Sequence, residues 1–167
     1  MILIAIGANL PSIEGGDPLQ TCMAAAASLR ALPGLEFVAQ SRWYRTAAIP
    51  VSDQPDYCNG VLRFAGQADP LALLHELQAL EAMFGRVRSV PNAARTLDLD
   101  LIDVNKAVLN LPLLQLPHPR AQDRAFVLRP VQDVAPDWVH PVTGQGVAAL
   151  LALLPPQSIQ LWDAPAS

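Results

Sequence analysis

Lysine is nearly absent from this chain: Lys106 stands alone among 167 residues. No G-x-x-x-x-G-K-[ST] segment surrounds it, so a P-loop is excluded. Cysteine is almost as scarce. Cys22 and Cys58 fit no metal or disulfide spacing, have no histidine nearby, and read as small buried apolar residues in a reducing cytosol. No apolar run approaches the ~20 residues of a membrane span. The opening "MILIAIGANL" has no basic leader, and its apolar stretch is too short for a signal peptide. An excess of positive charge is also missing: the formal net charge of −4 gives no reason to expect nucleic acid or an anionic membrane as partner. A cytoplasmic, monomeric protein acting on small molecules is the expectation.

What is present is a core. Apolar residues make up 51% of the chain, which argues against disorder. At this length one domain buries about two-thirds of its unfolded surface. The 16 prolines, about twice the ordinary share, fall at element boundaries rather than in one linker. Residues 1–167 are therefore read as a single domain, with 163–167 a loose tail. Residues 2–6 form a buried strand. Asp17-Pro18 opens a helix to about Leu32, since Asp caps and Pro fits the first turn. Residues 35–45 and 57–65 are strand-like, and Asp69-Pro70 opens a second helix that runs to Gly85. Residues 96–104 make another strand. The order β-α-β-β-α-β predicts an α+β fold with a ferredoxin-like core sandwich. One or two short helices between 111 and 136, a helix at 146–154 and an edge strand at 158–162 complete it.

The chemistry concentrates in "ARTLDLDLIDV" (94–104). Alternation along a strand puts Asp98 and Asp100 on one face and Leu97, Leu99 and Leu101 on the other. Two carboxylates roughly 6–7 Å apart at their bases repel each other. On its own a D-x-D pair is often a solvated face, but this strand is otherwise apolar and belongs inside the sheet. A hard divalent cation suits it: Mg²⁺ takes one or two carboxylates plus water and phosphate oxygens. Ten of the eleven basic residues are Arg, and Arg86, Arg88, Arg95, Arg120 and Arg124 crowd around the aspartates in sequence. Metal and guanidinium groups together make a polyphosphate site. His118, between two prolines in "LPHPR", is aimed by a stiff segment. His75 and His140 read as structural. In "DQPDYCNGV", Tyr57 and Asn59 share a face, able to stack on a heterocycle and read its edge, or simply to pack at a strand start. "TGQGVAA" (143–149) matches a dinucleotide-binding pattern, but the residues after it leave no room for a Rossmann sheet.

These segments together resemble the bacterial 6-hydroxymethyl-7,8-dihydropterin pyrophosphokinases of folate biosynthesis. The resemblance runs through "IAIGANL", "YRT" (44–46), "DQPDYCN" (53–59), "GRVR" (85–88), "RTLDLD" (95–100), "PHPR" (117–120) and "DRAFVLRPV" (123–131), in order over about residues 2–155. It implies transfer of pyrophosphate from ATP to the pterin hydroxymethyl, with release of AMP and two Mg²⁺ ions. It implies that Asp98 and Asp100 hold both ions and that Arg86 and Arg95 are catalytic. Arg88, His118 and Arg124 would complete the ATP site. Tyr57 and Phe126 would sandwich the pterin, Asn59 would hydrogen-bond it, and backbone near Thr46 would close the pocket. One departure stands out: "SVPNAA" (89–94) is shortened and has Asn92 near the place of the family's aromatic. A D-x-D nucleotidyl- or glycosyltransferase and a non-catalytic ferredoxin-like module remain the rival readings on motif grounds.

Overall fold

Both Asp-Pro pairs open helices in the computed structural model, which describes residues 1–9, 17–47, 56–85 and 97–162. The elements run β1 (Ile2–Ala8), α1 (Pro18–Arg30), β2 (Glu36–Gln40), β3 (Tyr44–Thr46), β4 (Tyr57–Ala65), α2 (Pro70–Met83) and β5 (Asp98–Val104). They continue with the short β6 (Leu109–Asn110) and β7 (Gln115–Leu116), α3 (Ala125–Val134), α4 (Val147–Leu153) and β8 (Ile159–Leu161). At α1 the Asp17 carboxylate accepts from Gln20 N at 2.8 Å, while Asp17 N donates to the Gln20 side chain, a reciprocal capping box. Asp69 repeats the first half, accepting from Ala72 N at 2.9 Å.

The main sheet has the order β5-β1-β4-β3-β8, with β2 also pairing β4, and every pairing is antiparallel. Residues 35–45 are not one strand. They break at Ser41, whose N and Oγ both bond Val61, so β2 and β3 form two consecutive partners of β4. Alternation along β1 and β4 makes two unlike faces. Ile2, Ile4, Ile6, Leu62 and Phe64 pack with α1 and α2 in one apolar cluster. Leu3, Val61 and Ile102 pack with α3 and α4 in a second. The second cluster covers only part of its face, and the uncovered part carries the polar residues described below.

Two further features depart from the sequence reading. Not every proline lies at an element boundary: Pro130 is buried inside α3, where it lacks the N–H that would bond the Phe126 carbonyl four residues back. The β6–β7 pair was also not foreseen, because two-residue strands carry no periodicity. Among the described residues no helix is long and apolar enough to cross a membrane.

Candidate active site

β1, β4 and β5 lie side by side, so their in-phase residues build one surface. Gly7 pairs with Asn59 on one side and Asp98 on the other, and Ala5 pairs with Asp100. β3 adds Thr46 opposite Tyr57. The floor is closely packed: a Cβ at Gly7 would meet Asn59 Oδ1 at 3.0 Å. Asn59 is buried, and its Nδ2 donates to Thr46 Oγ1 at 2.8 Å, which fixes the direction of the amide. Behind this floor, on the helix-covered face, a Cβ at Gly60 would strike the Trp43 ring at 2.5 Å, so glycine is required for the indole to lie against the strand.

Two cavities of about 480 Å³ each open on this surface. The first contains Thr46, Tyr57, Asn59 and Phe126 together with Asp98, Asp100, Arg120 and Arg124. The second contains the same aspartates and arginines together with His118, Gln78 and the 111–115 wall. The cavities therefore meet at Asp98, Asp100, Arg120 and Arg124. This arrangement brings together all eight predicted site residues that the structure describes: Thr46, Tyr57, Asn59, Asp98, Asp100, His118, Arg124 and Phe126. Arg86, Arg88, Arg95 and the Asn92 departure lie outside the described residues.

The electrostatics follow from local geometry. His118 N donates to the Ile102 carbonyl at 3.0 Å, which anchors the stiff Pro-His-Pro segment against β5. Its Nδ1 accepts from Arg120 N at 3.2 Å, so the neutral ring carries its proton on Nε2, 4.0 Å from Asp100. Burial, reinforced by Arg124, lowers the His118 pKa to about 4 against the opposing pull of Asp98. The ring is therefore a neutral donor at physiological pH. Burial also pulls Arg124 below its ordinary value, opposed by Asp100 and Asp98. Its guanidinium carbon stands 5.3 Å from the Phe126 ring centroid. On the far side of α3, Asp133 accepts from Tyr44 Oη at 2.8 Å and from Arg42 at 2.9 Å, tying the helix to β3.

Arg120 was seen in the basic cluster but not among the predicted site residues, although it lines both cavities. Its place in "PHPR" was the available signal. Gln78 and the 111–115 wall had none, because a helical Gln and a proline-broken loop look like surface. His140 is structural, as expected: it is buried and accepts from Val142 N and Thr143 N, both at 3.1 Å. The dinucleotide-like segment forms the turn that holds His140, an isolated bridge, Val139 to Gly146, and the start of the short α4.

Known proteins place this chain in a family. Residues 3–136 match the family described as 7,8-dihydro-6-hydroxymethylpterin-pyrophosphokinase. A Pseudomonas aeruginosa relative named 2-amino-4-hydroxy-6-hydroxymethyldihydropteridine pyrophosphokinase is 38% identical, the match covering 95% of this chain and 94% of the relative. A Synechocystis relative of the same name is also 38% identical, over 89% of this chain and 73% of the relative. The solved Plasmodium falciparum HPPK-DHPS with pteroate superposes with a TM-score of 0.69 at 11% identity. It shares the fold over 90% of this chain, which spans 41% of that longer protein. The chain belongs to the 7,8-dihydro-6-hydroxymethylpterin pyrophosphokinase family.

Proposed function

We propose that the two cavities take the two substrates of one transfer, the pterin in the first and ATP in the second, with the phosphates lying where the cavities meet. The reaction is ATP-dependent transfer of pyrophosphate to 6-hydroxymethyl-7,8-dihydropterin, giving the pterin diphosphate and AMP, a step of folate biosynthesis. In bond terms the pterin hydroxyl oxygen attacks the β-phosphorus of ATP and gives up its proton to water, the bond from that phosphorus to the α–β bridging oxygen breaks, and AMP leaves with that oxygen. The observation that carries the two-substrate reading is the junction of two equal cavities at Asp98, Asp100, Arg120 and Arg124.

Tyr57 and Phe126 sandwich the pterin ring, and Asn59, held by Thr46, hydrogen-bonds its edge. Backbone near Thr46 closes that end. Arg124 and His118 contact the phosphates, with Arg88 completing the ATP site. Arg86 and Arg95 neutralise the migrating group, so they act on charge that develops during transfer. Asp98 and Asp100 fit two Mg²⁺ ions. They are hard oxygen donors two residues apart on one face, opening on both cavities, and substrate phosphate oxygens and water can complete such a site. Bound there, the metal offsets phosphate charge and orients the reacting oxygens. The chain acts as one domain and as a monomer, without nucleic-acid or membrane partners, in the cytoplasm.

AMP formation from ATP that depends strictly on hydroxymethyl-dihydropterin tests the activity. For the arginines, Arg86→Ala and Arg95→Ala lower kcat far more than they raise KM for ATP, whereas Arg88→Ala acts mainly on KM. A pure KM effect at Arg86 and Arg95 would demote them to ground-state contacts.

A further inference from the structure

Arg124 sits at an awkward place in the backbone. It is extended, with φ −124° and ψ 111°, between the 3-10 turn Ala121–Asp123 and the first residue of α3. It caps α3 without any side-chain hydrogen bond of its own, and its backbone N reaches the Ala121 carbonyl only at 3.4 Å. Its carbonyl accepts from Val127 N and Leu128 N, each at 3.0 Å, as α3 begins. A residue far along the chain grips the backbone on both sides of it: Gln157 Oε1 accepts from Ala125 N at 2.9 Å, and Gln157 Nε2 donates to the Asp123 carbonyl at 3.0 Å.

Those two bonds have a specific mechanical meaning. The Asp123 carbonyl belongs to the peptide plane before the Arg124 Cα, and the Ala125 N–H belongs to the plane after it. The first turn of α3 already holds the second plane through the Arg124 carbonyl, and one planar amide gripping both planes sets the first against it, constraining φ and ψ of the residue between them, since these are the only soft backbone torsions. The Gln157 bond to Ala125 also satisfies a first-turn N–H that a helix start leaves open. The same C-terminal segment continues into β8, where Ile159 pairs with Thr46. It therefore braces both the arginine end of α3 and the strand that holds Asn59. Gln157 lies outside residues 3–136, the part matched to the family.

We propose that Gln157 is a positioning residue for Arg124: its amide sets the backbone of that arginine and so the direction of the guanidinium at the junction of the two cavities. This rests on the reading of Arg124 as a phosphate contact. Reactivity falls steeply when a contacting group is displaced by about 1 Å, so the clasp matters although Gln157 itself lines neither cavity.

The test grades the clasp in the full chain. Gln157→Met keeps length and removes both bonds, while Gln157→Glu keeps the acceptor for Ala125 N and loses the donor to Asp123. Expected kcat/KM for ATP falls in the order Gln, Glu, Met, with Met about tenfold or more below wild type and melting temperatures within a few degrees of wild type. In an Arg124→Ala background, Gln157→Met costs nothing further, because two residues acting through one contact are not additive. Wild-type kcat/KM in the Met variant overturns the proposal. So does a loss that persists in full in the Arg124→Ala background, which would mark a general structural role. If the Met variant does not fold, the Glu variant is read by the same criteria. A wild-type chain that forms no AMP would sink the functional reading instead. The affinity for a nonhydrolysable ATP analogue, expected in the same graded order, then decides the Gln157 question by itself.

Discussion

The two ends of β5 carry aspartates of opposite character. At its start, Asp98 and Asp100 open on both cavities, and 39% of the Asp100 side chain remains accessible. At its other end Asp103 is 1% exposed. Its Oδ2 accepts from Trp138 Nε1 and its Oδ1 from Lys106 N, each at 2.8 Å. One strand thus contains carboxylates that line open cavities and a carboxylate enclosed in the fold. The residue type does not separate them. What separates them is whether the carboxylate faces an open cavity or the packed interior.

Breaking that contrast at its cavity end should have the largest effect. Asp98→Asn and Asp100→Asn should each reduce turnover at least about a hundredfold, since amides hold Mg²⁺ poorly and a charge-stabilising group is lost, without loss of melting temperature. Near-normal turnover at saturating Mg²⁺ would refute the assignment. At the structural end the signs reverse. Asp103→Ala strands the Trp138 and Lys106 donors, so denaturant unfolding should show a loss of about 2–4 kcal/mol, with turnover per folded molecule unchanged. An intact midpoint would show that the buried bonds add little.

The next two predictions sharpen the comparison within the first cavity. Tyr57→Ala or Phe126→Ala should weaken pterin binding by about 1–3 kcal/mol, the worth of stacking on an aromatic ring, measured by calorimetry. Nucleotide affinity should barely move, and equal losses for both ligands would point to general disruption of the fold. Smallest is Thr46→Val, which removes the acceptor that holds Asn59. About 1 kcal/mol of pterin affinity should be lost, and an unchanged pterin KM would remove Thr46 from the site.

The cavity end of β5 was legible in the sequence because its signal is local. Asp98 and Asp100 alternate with buried leucines, and plain period-two reading puts them on one face. The other end was not legible. Uninterrupted alternation would turn Asp103 toward α1 and α2 with Leu99 and Leu101. Instead the register shifts opposite Leu3 and Ile4, so that Leu3 faces Asp103 while Ile4 faces Leu101. Ile102 is the extra residue, packed with Leu3 and Trp138. A bulge resets the phase of a strand, and no residue in "LIDV" announces one. The aspartate-proline helix starts were readable for the same reason as the D-x-D pair, since the capping oxygen and the constrained ring are adjacent in the chain. The Gln157 clasp lies 32 residues from Ala125 and had no such local mark. The break at Ser41 escaped too, because a serine hydroxyl bonding across to Val61 looks like any polar residue at a strand end.

The contact between Gly60 and Trp43 has an optical side. Gly60 lines the first cavity with its backbone, while the Trp43 ring lies against its opposite face. A single layer of polypeptide thus separates an occupant of that cavity from an intrinsic fluorophore. Pterins absorb in the near ultraviolet where indoles emit, and at such a separation energy passes efficiently from donor to acceptor. Loading of the pocket can therefore be followed through tryptophan emission, to which Trp43, Trp138 and Trp162 all contribute, with no label attached and no residue of the site altered.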